Sequence, residues 1–213
     1  MPPLLSRFTA QLAHMLEGDE DVIVLHVMSQ ITAGPGVNDE QLGANADDLI
    51  RLHAPEGEIL ERDVEILAQP HIHATPKVRH GSIIEEILDE ASTGDYDLVV
   101  IGAPNDLHCQ ITLAAAAAGK HVVVEKPMCV TVKEATAMID AASKAGKVLT
   151  VFHNRRHDGD FKALRDAVRS GIIGQVFHVE MFMGNHARPG DWWRSDKEIS
   201  GGAFFDWGAH CLD

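Results

Sequence analysis

His121-Val-Val-Val-Glu125-Lys126-Pro127 is the segment around which the second half of this chain is predicted to fold. Its β-branched residues follow one another without a polar interruption, which is typical of a strand buried in a parallel sheet. Ligands of open α/β sheets bind where the strands end, so Glu125 and Lys126 indicate a functional site. The alternative interpretation is a solvated ion pair that closes an ordinary strand.

A second polar turn precedes this strand. An apolar strand at 98–101 runs into Ala103-Pro104-Asn105-Asp106-Leu107-His108, and an alanine-rich helix then ends near Gly119. The three elements form one βαβ unit with polar residues at the tips of both strands. Because the carboxyl ends of parallel strands meet at one edge of the sheet, we expect the two polar turns to lie side by side.

These two motifs resemble the glucose-fructose oxidoreductase / inositol dehydrogenase (Gfo/Idh/MocA) family, and the resemblance covers about residues 95–213. That family carries a Thr-Pro-Asn-x-x-His turn and a Glu-Lys-Pro motif, and Ala103 here replaces the threonine. The resemblance implies NAD or NADP as the cofactor and hydride transfer to or from a sugar, polyol or related hydroxy compound. The cofactor-binding residues that it implies are Pro104, Asn105, His108, Glu125 and Pro127.

A third motif lies at 201–210, where Asp206 and His210 are four residues apart and would share one face of a helix. A carboxylate beside a histidine raises its basicity, which suits a general base. The segment is similar to the family's Gly-Gly-x-x-x-Asp-x-Gly-x-His, which implies catalytic roles. Lys126 would orient and polarise the reacting hydroxyl, His210 would act as acid and base, and Asp206 would orient His210. The alternatives are a surface Asp-His pair or two metal ligands without partners, and we predict no metal site.

A basic turn, His153-Asn154-Arg155-Arg156, follows a strand predicted at 148–152. The family has a similar turn near its substrate, which implies that Asn154 and an arginine, Arg155 or Arg156, bind substrate. Arg194 is also predicted to bind substrate. A solvated basic turn is an equally open interpretation. Trp192 and Trp193 either line the mouth of the same pocket with Arg194 or serve as packing anchors.

The first half of the chain, residues 1–102, resembles another family, the universal stress proteins. The resemblance rests on a strand ending in Leu-His-Val, on Gly81-Ser-Ile-Ile-Glu-Glu-Ile and on Tyr96-Asp-Leu-Val-Val-Ile-Gly102. In that family a glycine-rich loop binds ATP phosphates, but here Pro104-Asn105 stands in its place. The Gly-x-Gly-x-x-Gly turn of dinucleotide-binding proteins is also absent, since Gly34-Pro35-Gly36 does not fit it.

Hydrophobic periodicity predicts an α/β fold with a mostly parallel, Rossmann-like sheet and helices on both faces. The resemblance to the Gfo/Idh/MocA family implies that the truncated start of an α+β substrate domain follows. One sheet is expected to continue from the first half into the second. The predicted helices are 5–16, a possible 40–53, 82–90, one from a capping box at Thr131 and 160–170. The predicted strands are 21–28, one within 72–79, 97–101, 121–125, 148–152 and a half-buried 174–182. The predicted domains are 1–102 (universal-stress-like), 103–156 (C-terminal part of a dinucleotide-binding domain) and 157–213 (truncated start of the substrate domain).

The composition restricts the class of partner. The net charge is −14, and residues 1–102 hold five basic and 19 acidic side chains against 13 of each in the remainder. An acidic chain does not favour nucleic acid, which requires a basic surface. No signal peptide or spanning segment is recognisable, so we expect a soluble cytoplasmic protein without a membrane partner. The three cysteines have no metal-ligand spacing and are predicted to be reduced thiols, and a homo-oligomer is possible.

Three functional hypotheses follow. The first is an NAD(P)-dependent oxidoreductase acting on a sugar or polyol. The second is an adenine-nucleotide-binding module without catalysis, which the first half of the chain favours. The third is an inactive fusion or gene fragment, which the change of charge between the halves and the missing glycine-rich turns favour.

Overall fold

The computed structural model describes residues 3–16, 18–28, 43–182, 184, 186, 190 and 193–213. Gly34-Pro35-Gly36 and Trp192 lie outside the described residues, as does the first part of the possible helix at 40–53. The described part of that segment contains a short helix, Ala46–Arg51.

The secondary structure alternates between helices and strands. The helices are α1 (Pro3–His14), α2 (Ala46–Arg51), α3 (Pro55–Leu67), α4 (Ile83–Thr93), α5 (His108–Ala117), α6 (Val132–Ala145), α7 (Gly159–Arg169), α8 (Lys197–Ser200) and α9 (Ala203–Cys211). The strands are β1 (Glu20–Met28), β2 (Ile72–His80), β3 (Leu98–Ile101), β4 (His121–Glu125) and β5 (Leu149–Phe152). The predicted α/β class is thereby confirmed. Among the described residues no helix has the length and apolar character needed to cross a membrane.

The described strands pair in parallel, but they form two sheets. One sheet has the order β3-β4-β5, with Leu98 opposite His121 and Val122 opposite Leu149. The other consists of β1 and β2. The expectation of one continuous sheet is therefore wrong for the described residues. A sheet continues only where backbone donors meet acceptors on the next strand, and no described strand joins β1 to β3.

Helix α1 connects the two sheets through apolar packing. Near its start Leu5 is fully buried in a cluster with Val123 and Phe152 of the three-stranded sheet. Five residues later Ala10 packs in the cluster that contains Val24 of β1. Helices α5 and α6 cover the other face of the three-stranded sheet. That sheet therefore has helices on both faces, as predicted.

Helix α3 was not predicted from the sequence. Pro55 occupies its first turn, where a missing N–H costs nothing, and Glu56 and Glu58 favour the helix N-terminus. Leu60 and Leu67, seven residues apart, are buried against β1 and β2. These are ordinary helix signals, but the acidic sequence around them obscured the apolar periodicity.

Helices α2 and α3 approach each other closely at Gly57. A Cβ atom on this residue would lie 2.2 Å from the carbonyl oxygen of Leu49, in the backbone of α2. A backbone atom cannot move aside as a flexible side chain can. Gly57 is therefore required by the close contact between the two helices.

The capping box predicted at the start of α6 is confirmed. The hydroxyl of Thr131 accepts a hydrogen bond from the amide of Glu134 at 3.2 Å. The carboxylate of Glu134 accepts one from the amide of Thr131 at 2.8 Å. Gly146, with φ of 65°, ends the helix in the left-handed region. The orientation of α6 behind the sheet is thus fixed by local sequence at both ends.

The half-buried strand predicted at 174–182 does not form. The described residues of this segment have no strand partner, and Phe177 and Phe182 are 96% and 92% exposed. Alternation of apolar and polar residues indicates which face a strand would bury, but the strand itself exists only when a neighbour supplies hydrogen bonds.

A charged network joins β2 to α4. The buried carboxylate of Glu90 accepts hydrogen bonds from Lys77 at 2.8 Å, from Arg79 at 2.8 Å and from the hydroxyl of Tyr96 at 2.5 Å. Burial alone would raise the pKa of Glu90, but these donors outweigh burial and lower it to about 2. Burial, together with the hydrogen bond to Glu90, raises the pKa of Tyr96 to about 12.

Candidate active site

Lys126 follows the last residue of β4 and is the centre of the site. Its side chain is 10% exposed, and its Nζ donates to the Oδ1 and backbone oxygen of Asp206 at 2.6 and 2.7 Å. Arg194 donates to the same Oδ1 at 2.6 Å. The peptide bond between Lys126 and Pro127 is cis. Three residues that the sequence assigned to one site therefore meet, although Asp206 is 80 positions from Lys126.

His210 lies on α9 with Asp206, as the spacing predicts. The carboxylate of Asp206 is engaged by Lys126 and Arg194, and the buried Nδ1 of His210 has no hydrogen-bond partner among the described residues. A hydrogen bond between Asp206 and Nδ1 of His210, which the predicted orientation of His210 would use, is therefore not among these contacts. Asp206 orients Lys126 instead. Lys126 and Arg194 both donate to the same oxygen of this carboxylate, Oδ1.

The surroundings of His210 keep its imidazole neutral. Burial lowers its pKa to about 4, and the positive charges of Lys126, Arg155 and His153 act in the same direction against the smaller effect of Asp206. A neutral imidazole has one ring nitrogen able to accept a proton. The site thus combines a buried ammonium group and an imidazole that is neutral at pH 7.

A cavity of about 340 Å³ opens beside Lys126 at the carboxyl ends of β3 and β4. It is lined by Ile59, Arg62, Gly102, Ala103, Pro104, Asn105, His108, Glu125, Lys126, Trp193 and Arg194. Both polar turns predicted from the sequence line this cavity, as does Trp193. The predicted site residues that do not line it are Pro127, Asn154, Arg155, Asp206 and His210.

Asn105 and His108 are both buried and hold the cavity wall together. The amide of Asn105 donates to the backbone oxygen of Ser200 at 2.8 Å, which fixes α8 against the turn. The ring nitrogens of His108 lie 2.8 Å from the oxygen of Pro127 and 2.9 Å from that of Ala103. Burial lowers the pKa of His108 against the effect of these carbonyl groups, and a neutral ring donates to only one of them. Both side chains act on the cavity mainly by shaping it.

Glu125 contributes a carboxyl group to the lining of the cavity. It accepts a hydrogen bond from the backbone amide of Lys126 at 3.0 Å, and burial raises its pKa. A half-buried carboxyl group at the end of a central strand can bind the hydroxyl groups of a ribose. Together with the volume of the cavity and its position at the strand ends, this acceptor group fits the nicotinamide and ribose of a dinucleotide.

The basic turn after β5 lies next to α9. The guanidinium of Arg155 is 5.5 Å from the centre of the Trp207 ring and donates to Asp158 at 2.9 Å. The Oδ1 of Asn154 is buried and has no hydrogen-bond partner among the described residues. Arg155 is therefore close to the helix of His210, and neither Asn154 nor Arg155 lines the cavity. Their assignment to substrate remains a prediction.

Two residues that line the cavity, Ile59 and Arg62, were not predicted from the sequence to be site residues. Both lie on α3 and are three positions apart, so they share one face of that helix. Recognition of the helix from Pro55 and its acidic first turn would have placed them on one face. Their position beside Lys126 depends on long-range packing that no local pattern reveals.

Two family models match the chain. The model described as "Oxidoreductase family, NAD-binding Rossmann fold" matches residues 47–153, and the "GFO/IDH/MocA C-terminal domain" matches residues 161–213. The first begins well inside the segment that resembles universal stress proteins, and the comparisons give that resemblance no support. The division at residue 102 stays a prediction.

Three curated relatives bear the names of an oxidoreductase, a dehydrogenase and a reductase. The uncharacterized oxidoreductase YdgJ of Escherichia coli (strain K12) is 42% identical over 56% of this chain and 35% of its own length. The scyllo-inositol 2-dehydrogenase (NADP(+)) IolW of Bacillus subtilis (strain 168) is 32% identical over 62% of this chain and 37% of its own. The 1,5-anhydro-D-fructose reductase of Ensifer adhaerens is 36% identical over 61% of this chain and 39% of its own length. The chain thus spans less than two fifths of the length of each.

Solved structures support the fold and the family. The YPO2259 oxidoreductase of Yersinia pestis matches 92% of this chain and 51% of its own with a TM-score of 0.52 at 26% identity. An NAD-binding protein from Listeria innocua covers the same shares with a TM-score of 0.58 at 24% identity, a likeness of fold. With the matching family models and the geometry at Lys126, these findings show that the chain belongs to the Gfo/Idh/MocA oxidoreductase family.

Proposed function

We propose that the chain takes part in NAD(P)-dependent oxidation or reduction of a sugar, polyol or related hydroxy compound. Two of the relatives bear names of this chemistry, an inositol dehydrogenase and an anhydrofructose reductase. The substrate class and the choice between NAD and NADP belong to this proposal. A homo-oligomeric state and a cytoplasmic location remain predictions from the sequence.

The position of Lys126 is the observation that supports this proposal most directly. Its side chain belongs both to the wall of the cavity and to the ion pair with Asp206. A buried ammonium held by a carboxylate is a directed hydrogen-bond donor, because its rotamer is restrained. Such a donor beside a ligand-sized cavity suits the binding of a hydroxyl or carbonyl oxygen.

The proposed roles follow from the contacts. Lys126 donates through Nζ to the substrate oxygen, and Asp206 with Arg194 keeps this ammonium in place. His210 accepts the hydroxyl proton on a ring nitrogen, for which its neutral state is a requirement. Asn154, Arg155 and Arg194 are proposed to contact further substrate oxygens.

The cofactor is proposed to occupy the cavity at the strand ends. Pro104, Asn105 and His108 form one wall, and Glu125 offers its carboxyl group to the ribose, next to Pro127. When bound, the nicotinamide supplies the hydride acceptor or donor. The chain contributes orientation and the exclusion of water.

Lys126→Ala tests the function. We expect turnover of NAD⁺ or NADP⁺ with a panel of polyols to be lost, because the substrate oxygen loses its donor, while thermal unfolding changes little since Arg194 still pairs with Asp206. Lys133→Ala is the matched control, because Lys133 is exposed at the start of α6. Undiminished turnover in Lys126→Ala would remove the proposed role.

The other two hypotheses have distinct outcomes in a titration of the folded chain with NADH, NADPH and ATP. Saturable binding of a nicotinamide nucleotide supports the oxidoreductase. Binding of ATP alone would favour the adenine-nucleotide module. Failure of all three to bind would favour an inactive fusion, in which the site residues reflect ancestry rather than activity.

A further inference from the structure

Arg62 introduces a cation into the cavity that neither sequence motif supplies. It lies on α3 with Ile59, and the two residues form a wall of the cavity contributed by the first half of the chain. The side chain of Arg62 is 43% exposed, so a ligand can reach it. The cavity is therefore built from both halves of the chain.

A buried carboxylate holds Arg62 in position. Asp63 is fully buried, and its Oδ1 lies 3.2 Å from Nη2 and 3.4 Å from Nε of Arg62. The hydroxyl of Ser6 on α1 donates to the same oxygen at 2.9 Å. A guanidinium carries five N–H donors and can keep a carboxylate partner while it binds an anion. The contact with Asp63 thus restrains the arginine at the edge of the cavity.

The charges around the cavity favour an anionic ligand. Lys126 and Arg194 both donate to Oδ1 of Asp206, so two cations stand at that wall. Glu125 is the opposing acid, and burial raises its pKa and so disfavours its negative charge. Arg62 adds a planar donor group of the kind that recognises phosphate.

We propose that Arg62 is a phosphate-binding residue of this cavity and supplies a contact to the ligand's phosphate group. This inference rests on the proposed function. Dinucleotide-binding folds usually hold the diphosphate on a glycine-rich turn, and the chain contains no Gly-x-Gly-x-x-Gly sequence. A side-chain cation on α3 provides an alternative source of charge and hydrogen bonds. The phosphate belongs either to the nucleotide or to a phosphorylated sugar, and the same variants distinguish the two.

Titrations with matched ligands test the proposal. NADH is compared with reduced nicotinamide riboside, which has no phosphate, and glucose 6-phosphate is compared with glucose. Arg62→Ala is expected to weaken binding of the phosphorylated member of one pair by roughly tenfold or more, as for loss of a charge-assisted contact. Binding of the phosphate-free member is expected to stay unchanged. The pair that responds identifies the source of the phosphate.

Two further variants of the chain test whether the loss of binding is specific to Arg62. Arg165→Ala removes another arginine that contacts a neighbouring aspartate, Asp166, on the exposed helix α7. The Arg165→Ala variant should bind all four ligands with the affinity of the wild type. Arg62→Gln combined with Asp63→Asn replaces the ion pair by two neutral amides. This double variant serves if Arg62→Ala fails to fold because Asp63 has lost its contact with the guanidinium, and it should show the same phosphate-specific loss.

The outcomes separate this inference from the proposed function. Equal affinity of wild type and the Arg62 variants for the phosphorylated ligands would overturn the phosphate contact and leave the oxidoreductase proposal intact. Loss of affinity for both members of a pair would also overturn it, because that result indicates a change of cavity shape. If the wild type binds glucose 6-phosphate but neither NADH nor NADPH, and Arg62→Ala weakens the binding of glucose 6-phosphate, the result would support the contact by Arg62 and contradict the proposed cofactor. Failure of all four ligands and of NADPH to bind would overturn both.

Discussion

Replacement of Glu90 by glutamine should destabilise the fold through the charged network of β2 and α4. The carboxylate is 7% exposed and accepts hydrogen bonds from Lys77, Arg79 and Tyr96. Its pKa is lowered from 4.5 to about 2, because these donors outweigh the effect of burial. At about 1.4 kcal/mol for each tenfold change in proton affinity, that difference corresponds to about 3 kcal/mol.

The expected loss for Glu90→Gln at pH 7 is smaller, about 2 kcal/mol in the free energy of unfolding. Lys77 is 44% exposed, so solvent screens part of its attraction to Glu90. The sign follows from linkage. The folded-state pKa is the lower one, so the stabilisation is present above the unfolded value near 4.5 and is lost as the pH falls towards 2.

Urea unfolding at several pH values between 7 and about 3 measures this effect. The difference in stability between wild type and Glu90→Gln should shrink as the pH falls, and Glu61→Gln, an exposed change on α3, should show little difference at any pH. A difference that stays constant with pH would refute the reasoning, since it would reflect packing rather than charge. Tyr96 is the only tyrosine, so phenolate absorbance gives a second readout. Its pKa, raised to about 12 by burial and Glu90, should fall in the variant.

Two other predictions concern packing and the site. Gly57→Ala should lower the melting temperature by the equivalent of about 2 kcal/mol or more, although alanine favours helices, because the new Cβ would meet the carbonyl oxygen of Leu49. Gly159→Ala, which meets nothing within 4 Å, is its control, and equal melting temperatures would contradict the close approach. The ring of His210 should titrate near pH 4 in a nuclear magnetic resonance experiment, and Arg155→Ala should raise that pKa by removing a neighbouring cation. A midpoint that does not move would argue against this electrostatic coupling.

Much of the fold could be predicted because its signals are local. The apolar runs of β3, β4 and β5 and the capping box at Thr131 involve residues within a few positions of one another. The two polar turns at 103–108 and 125–127 follow buried strands, so their neighbouring positions also follow from the sheet. The spacing of Asp206 and His210 likewise places both on α9. These features depend on helix and strand geometry alone.

The errors occurred where pairing or packing decides. The segment 174–182 has the alternation of a strand, yet no described neighbour supplies hydrogen bonds to it. The two sheets are joined through the apolar face of α1 and not by a continuous ladder. Neither result is encoded by the residues of the element itself.

The sequence by itself determined the α/β class, the approximate positions of β1 to β5 and the chemical groups that stand at the carboxyl ends of the three-stranded sheet. Only the tertiary structure decided which partners these groups have. It joined Lys126 to Asp206 across 80 positions and brought Arg62 to the cavity that Lys126 lines. The physical reason is that side-chain patterns fix local geometry, whereas ion pairs and cavities arise from the packing of segments that are distant in the chain.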